Sequence, residues 1–253
     1  MSVLQDTRIA LRLLARAPAT TGIALLSIAL STGAAGVVFA AIKSVLLNPL
    51  PYARADELVQ LRSEYPRMQQ QSTGDWVFWN DAQEVIRRTR TLDSVGVYGN
   101  ALFDLGGDSS TPPEALYGLR ITPNLFPTLG AAPMLGRNIL PEEAESGHAE
   151  VMILSYGLFA RRFHADPQIV GRPVIVNGHE CIVIGVMPPG FNFPMRRSAA
   201  HTPSPYVEFW APLVLRPGVK RGGLGAVGRL RPGVSAEEAR QDVAAIGDAL
   251  ARE

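Results

Sequence analysis

The chain has 253 residues, with 24 Lys+Arg against 23 Asp+Glu and a formal net charge of +1. That balance excludes the strongly basic surface of a nucleic-acid binder and the charge excess of a disordered tail. A single cysteine, Cys181, excludes an internal disulfide framework, and the 20 prolines and 24 glycines fall between apolar runs, as in a loop-rich folded chain.

The N-terminal part is organised for a membrane. Over residues 4–15 and the Arg16 that follows them, Arg8, Arg12 and Arg16 recur every four positions and Ile9, Leu11, Leu13 and Leu14 cover the rest. The spacing predicts an amphipathic helix lying in the cytoplasmic interface, its arginines at anionic headgroups. Pro18 breaks that direction. Residues 17–42 then carry no charge. A helix needs roughly 20 apolar residues to cross the hydrocarbon, and a charge at its centre costs at least ~2.5 kcal/mol. The apolar part of a cleaved secretory signal is only about 7–15 residues, so an uncleaved anchor is expected. The expected organisation is residues 1–17 as the cytoplasmic segment and 18–47 as the transmembrane helix and its exit. Arginines before the run, against Lys43, Arg54 and the acids Asp56 and Glu57 after it, place the N-terminus in the cytoplasm and the rest outside. Ala29, Gly33, Gly36 and Ala40 form a small-residue stripe, a candidate packing face for a second copy or another membrane helix.

Pro49 and Pro51 make a rigid exit. Residues 58–61 alternate as a strand. Residues 74–90 have helical spacing, with Trp76, Trp79, Ala82, Val85 and Ile86 on a core face. Strands are expected over 92–98, with β character continuing to 107, and over 115–121. A helical turn follows at 122–126, then a loop over 130–138. Pro141 begins a turn whose acids suit a helix N-terminus. Residues 151–154 read as a buried strand, and Ser155 caps a short helix with Leu158, Phe159 and Phe163 inward. Asn177-Gly178 between two apolar runs is a type I′ hairpin signal. Further strands are expected over 210–215 and 226–230. The last helix is capped by Ser235 with Glu238 in the capping-box position, and Ala239, Val243, Ile246 and Leu250 line one face.

The chemistry-bearing motifs are absent. His148, His164, His179 and His201 are not spaced as metal ligands, and no HExxH, CxxC, GxSxG or Walker-type string occurs. Gly223-Leu224-Gly225-Ala226-Val227-Gly228 matches the dinucleotide fingerprint as letters, but no helix begins after it to meet a pyrophosphate. Cys181 lies inside the hairpin and reads as a buried structural thiol. No catalytic, cofactor-binding or metal residues are expected, and no enzymatic activity.

Several strings in order carry a resemblance. They are the arginine-spaced lead-in, the charge-free helix, Leu46-Leu47-Asn48-Pro49-Leu50-Pro51-Tyr52, Asp166-Pro167-Gln168-Ile169-Val170-Gly171-Arg172, residues 151–163 and 185–193, and Val227-Gly228-Arg229-Leu230-Arg231-Pro232-Gly233-Val234. Together the chain resembles the N-terminal part of MacB/FtsX-type ABC transporter permeases, and is most similar to the ATPase-lacking orphan-permease branch. The resemblance implies an α+β architecture for a bacterial inner-membrane protein. One transmembrane helix would be followed by a MacB-like periplasmic core domain over 48–253, porter-like over 48–118 and 220–253, with an inserted β-rich subdomain over 119–219. It implies transport or mechanotransmission without catalytic residues, driven by a separate ABC ATPase subunit, with a homodimer or further permease helices as membrane partners. The family pattern continues with one more strand and three more spanning helices, none of which lies within these residues. The expectation is therefore a truncated chain with a pairable sheet edge. The second reading is a single-span, membrane-anchored binding or scaffold module without transport activity.

Overall fold

The computed structural model describes residues 18–42, 52–63, 77–107, 112–191, 193, 207–214 and 223–252. The chain divides into two compact units, Met1–Leu50 and Pro51–Glu253.

In the first unit the described element is helix α1, Pro18–Ile42, of 25 residues. Proline at the first helical position costs nothing, because its missing N–H would lack an intrahelical partner there. Thr32 Oγ1 donates back to the Ile28 carbonyl at 2.7 Å, so its hydroxyl needs no outside partner. Ile23, Leu26, Ile28 and Leu30 are all more than 60% exposed. Among the described residues, no helix is long and apolar enough to cross a membrane. The span expected from the whole charge-free run therefore rests on the sequence.

In the second unit the described strands form one nine-stranded sheet. They are β1 Leu58–Leu61, β2 Leu92–Leu105, β3 Glu114–Ile121, β4 Leu135–Gly136, β5 Glu150–Leu154, β6 Pro173–Val176, β7 His179–Val186, β8 Phe209–Pro212 and β9 Gly225–Leu230. The helices are α2 Trp79–Arg88, α3 Leu125–Leu129, α4 Tyr156–Phe163 and α5 Ala236–Leu250. Three sequence expectations need amendment. The helix expected from residue 74 begins at Trp79, because Val77 is drawn into a bridge with Leu224. Its Ile86 is 41% exposed rather than inward, and Trp76 lies outside the described residues. The loop over 130–138 contains β4, which pairs with the end of β7.

The sheet has two regions joined by the 14-residue β2. At one end the order is β1-β9-β2, each neighbour antiparallel. Helices α2 and α5 cover this part. Ala82 and Val85 of α2, Ala239 and Ile246 of α5, and Leu61, Val95, Val97 and Ala226 of the strands share one apolar cluster. A Cβ added at Gly96 of β2 would sit 2.6 Å from the Leu125 Cα, so only glycine lets the short helix α3 approach this closely.

Beyond β2 the pairings run β3, β8, β5, β7 and β6, and β6 returns to β2 through Leu105↔Val176. These six strands close a circuit, which leaves none of them with an open outer edge. Strand alternation puts Phe103, Leu116, Met152, Leu154, Val183 and Phe209 in one cluster and Leu119, Ile121, Val151, Ile153 and Trp210 in the other. The β6–β7 hairpin forms as expected: Asn177 has φ 51 and Gly178 φ 80, and Val176 pairs with His179. Asn177 also accepts from the Asp104 N–H at 2.8 Å, so the turn itself helps close the circuit.

Candidate functional site

The most elaborated polar site in the second unit surrounds Arg229 of β9. Its neighbours Ala226, Gly228 and Leu230 are buried, as expected for a central strand, yet Arg229 is itself only 5% exposed. Nε donates to the Thr128 carbonyl at 2.9 Å, Nη2 to the Ala53 carbonyl at 2.8 Å, and Nη1 to the Arg54 carbonyl at 3.2 Å and Glu57 Oε2 at 3.1 Å. A planar guanidinium presents five donors in a fixed fork, which suits several acceptors converging from different segments. Here those segments are the stretch leading into β1 and the end of α3. Arg54 takes a left-handed conformation at φ 50, and this turns its carbonyl and that of Ala53 toward the fork. Glu57 also meets Arg54 Nη1 at 3.1 Å, so its carboxylate is shared between a buried and an exposed cation.

A second polar knot fastens α5. Asp242 Oδ2 accepts from Thr89 Oγ1 and Thr91 Oγ1, both at 2.8 Å, and from the Arg90 and Thr91 N–H groups at 2.9 and 3.3 Å. Partial burial opposes the charge, but these donors outweigh it and hold the carboxyl below the usual carboxylate range. The knot ties the last helix to the turn between α2 and β2.

The remaining chemistry-bearing groups do not converge. Among the described residues, no cluster of three or more His, Cys, Asp or Glu could hold a metal ion. Cys181 is 1% exposed, and burial, with a smaller contribution from Glu150, pushes its thiol up to about 12. It packs in the cluster with Phe103 and Phe209, as expected of a structural thiol. The glycine string at 223–228 lies largely in β9, followed by a turn, so no helix N-terminus faces it. Acids Glu142 and Glu143 sit in a 3₁₀ turn at Pro141–Ala144, where Glu143 pairs with Arg137 at 2.6 Å.

Of the membrane-side residues singled out, Arg8, Arg12 and Arg16 lie outside the described residues. Ala29, Gly33 and Gly36 are exposed on α1, and a Cβ at either glycine would meet nothing within 4 Å. Ala40 belongs to α1, but its side chain is outside the described set. Sequence reading did not single out Arg229 or Asp242. The available signal for Arg229 was a charge inside a five-residue strand pattern otherwise free of charge.

A sheet with two helices over one end and a closed strand circuit at the other is an α+β fold with counterparts among solved structures. The periplasmic region of MacB from Actinobacillus actinomycetemcomitans superposes with TM-score 0.53 at 16% identity, covering 78% of this chain and 84% of that one. The extracellular domain of the noncanonic ABC-type transporter YknZ from Gram-positive bacteria gives TM-score 0.52 at 13% identity, covering 78% and 94%. No curated protein matches the sequence significantly. The profile of the MacB-like periplasmic core domain matches residues 21–246, and the chain belongs to that family.

Proposed function

We propose that this chain is a membrane-anchored permease-type subunit of a MacB/FtsX-like ABC system, and that its second unit is a non-catalytic extracytoplasmic domain that transmits movement. The family match over residues 21–246 carries the reading, because it begins inside the charge-free helix and runs through the second unit into its last helix. On this reading α1 spans the inner membrane with the N-terminus cytoplasmic. The arginine-bearing lead-in lies at the lipid surface, the Ala29–Gly33–Gly36–Ala40 stripe meets a second copy or further permease helices, and an ABC ATPase is a separate subunit. On this reading the porter-like part, 48–118 and 220–253, holds the α2/α5-covered strands, and the inserted part, 119–219, supplies β5 to β8, the two meeting in the circuit through β2 and β3.

The test is topology in cells. The protein should stay in membranes through a carbonate wash. Ala245→Cys, on the exposed side of α5, should react with a membrane-impermeant maleimide in spheroplasts, whereas Ala10→Cys should react only after lysis. Release by carbonate, or protection of Ala245→Cys until lysis, would overturn the reading.

A further inference from the structure

Two uncharged loops lie side by side where the chain enters the second unit. They are residues 130–135 and 187–191, and neither they nor the whole of 125–136 contain a charged residue. Strand β4 joins them: the Met134 N–H donates to the Val186 carbonyl at 2.8 Å, and Leu135 pairs with Val186. Both loops abut the entering stretch. A Cβ added at Gly130 would sit 2.8 Å from the Ala53 Cβ, and the Phe191 ring meets the buried Tyr52 ring edge-on at 6.1 Å.

Neither loop turns its apolar side chains fully inward. Ala132, Met134 and Pro189 are exposed, Met134 to 44%, and Pro133 and Phe191 are half-buried. A run of consecutive apolar residues left at a surface is a fault in a folded chain unless it has a use. The backbone keeps this run from folding away. The Ala131 N–H donates to the Phe126 carbonyl and the Arg137 N–H to the Ile184 carbonyl, both at 2.9 Å, which pins the first loop at its two ends. The Phe191 N–H donates to the Pro188 carbonyl at 3.1 Å and closes the second. The apolar rim is presented rigidly, so a contact there costs little further ordering.

Covalent reach says what lies opposite. Helix α1 ends at Ile42, and the described part of the second unit begins at Tyr52. Residues 43–51 span at most about 30 Å even when fully extended. If α1 crosses the bilayer, Tyr52 and the loops around it are tethered within that distance of lipid, which acts on them at a high effective concentration. The flanking charges say how the contact is made. Arg54 is paired with Glu57 at 3.1 Å and Arg137 with Glu143 at 2.6 Å. Neither is a free cation for anionic headgroups, so apolar burial at the boundary between headgroups and acyl chains must supply the attraction.

We propose that the rim formed by Ala132, Pro133, Met134, Pro189 and Phe191 rests on the extracytoplasmic leaflet of the membrane that α1 spans, as an apolar, charge-independent lipid contact. The proposal rests on the permease reading only for that membrane.

The test places Met134→Cys, carrying an environment-sensitive fluorophore, in the full chain in lipid nanodiscs. Cys181 is 1% exposed and stays unlabelled in the folded protein. Ala245→Cys, on the exposed side of α5, is the reference site. A spin-labelled lipid should quench the probe at 134 about twofold or more above the probe at 245, and aqueous iodide should show the reverse order. The contrast should be the same in phosphatidylcholine as in a mixture with phosphatidylglycerol, and insensitive to salt. Adding Met134→Asp to a chain labelled at Ala132→Cys should lower its lipid quenching, which shows that the side chain rather than the probe makes the contact. Equal lipid quenching at 134 and 245, or no effect of Met134→Asp, would overturn the proposal. So would quenching that needs phosphatidylglycerol, which would make the contact one of charge, or shielding from iodide that appears only with two chains per disc, which would make a second copy the occupant. A chain that fails to co-elute with lipid would overturn the permease reading and the proposal with it. Co-elution without lipid quenching at 134 would overturn the proposal alone.

Discussion

Arg229→Met keeps most of the aliphatic stem and removes every donor of the clamp, which makes it the sharpest probe of how the second unit is held together. Three carbonyls, of Ala53, Arg54 and Thr128, lose their guanidinium partner, and Glu57 loses one of its two cations. A buried polar group left unpaired costs about 1–3 kcal/mol, and removing one member of a buried charged pair costs about 3–5 kcal/mol. Glu57 keeps Arg54 and is partly solvated, so the carbonyls set the total. The expected loss is about 3–5 kcal/mol, or a fall in Tm of about 6–20 °C at this size. Arg229→Lys, with one compact head in place of the fork, should lose about half as much. Glu57→Gln should lose under about 1 kcal/mol, as for other solvent-screened pairs. Urea unfolding of the full chain in mild detergent, followed by tryptophan fluorescence, measures all three. A methionine variant within about 1 kcal/mol of the parent would refute the clamp. Equal losses for Arg229→Met and Glu57→Gln would refute the claim that the carbonyls, rather than the ion pair, give it its strength.

The Asp242 knot predicts a pH signature. Its carboxyl is held below the usual range, so its contribution is present above the unfolded value near pH 4 and is lost as pH falls through the lower folded value. Asp242→Asn should cost about 1 kcal/mol at pH 7, and its deficit against the parent should shrink on acidification in urea titrations; a deficit that grows below pH 4 would contradict the geometry. Gly96→Ala places a methyl 2.6 Å from backbone that cannot move aside as a side chain could, and should cost about 1–3 kcal/mol in the same assay; a neutral result would mean that α3 is not packed this closely. Cys181, 1% exposed with its thiol near 12, should resist iodoacetamide at pH 8 in the folded chain and react fully in urea, with mass spectrometry as the readout.

Elements specified by neighbouring residues were legible in the sequence. Asn177-Gly178 set a hairpin because the turn needs two positive φ values in succession, and both are present. Ser235 and Glu238 set the start of α5 because the two residues satisfy each other's orphan donors, with Glu238 Oε2 accepting from the Ser235 N–H at 2.8 Å. What was not legible depends on partners far away in the chain. Val77 could have continued a helical pattern, but a bridge to Leu224 holds it extended. The two-residue β4 exists only because β7 presents an edge to it. The acceptors of Arg229 lie 101 to 176 residues away, and the partners of Asp242 151 to 153 residues away. No local pattern encodes such a pairing. A charge within an otherwise apolar strand says only that some partner must exist.

The two polar knots have a common consequence for a domain proposed to transmit movement. The chain enters the second unit through residues 52–57, where β1 buries few side chains of its own and Gln60 is exposed. Apolar packing is non-directional and lets segments slide, whereas hydrogen bonds to a charged group weaken steeply with misalignment. Arg229 fixes that incoming stretch to β9, the central strand of the helix-covered sheet, and to the end of α3. Asp242 fixes the last helix α5 to the turn, Thr89 to Thr91, that leads from α2 into β2, the strand beside β9. The stretch entering the second unit and its last helix are thus each held by directional contacts, one to β9 and the other to the turn that leads into β2.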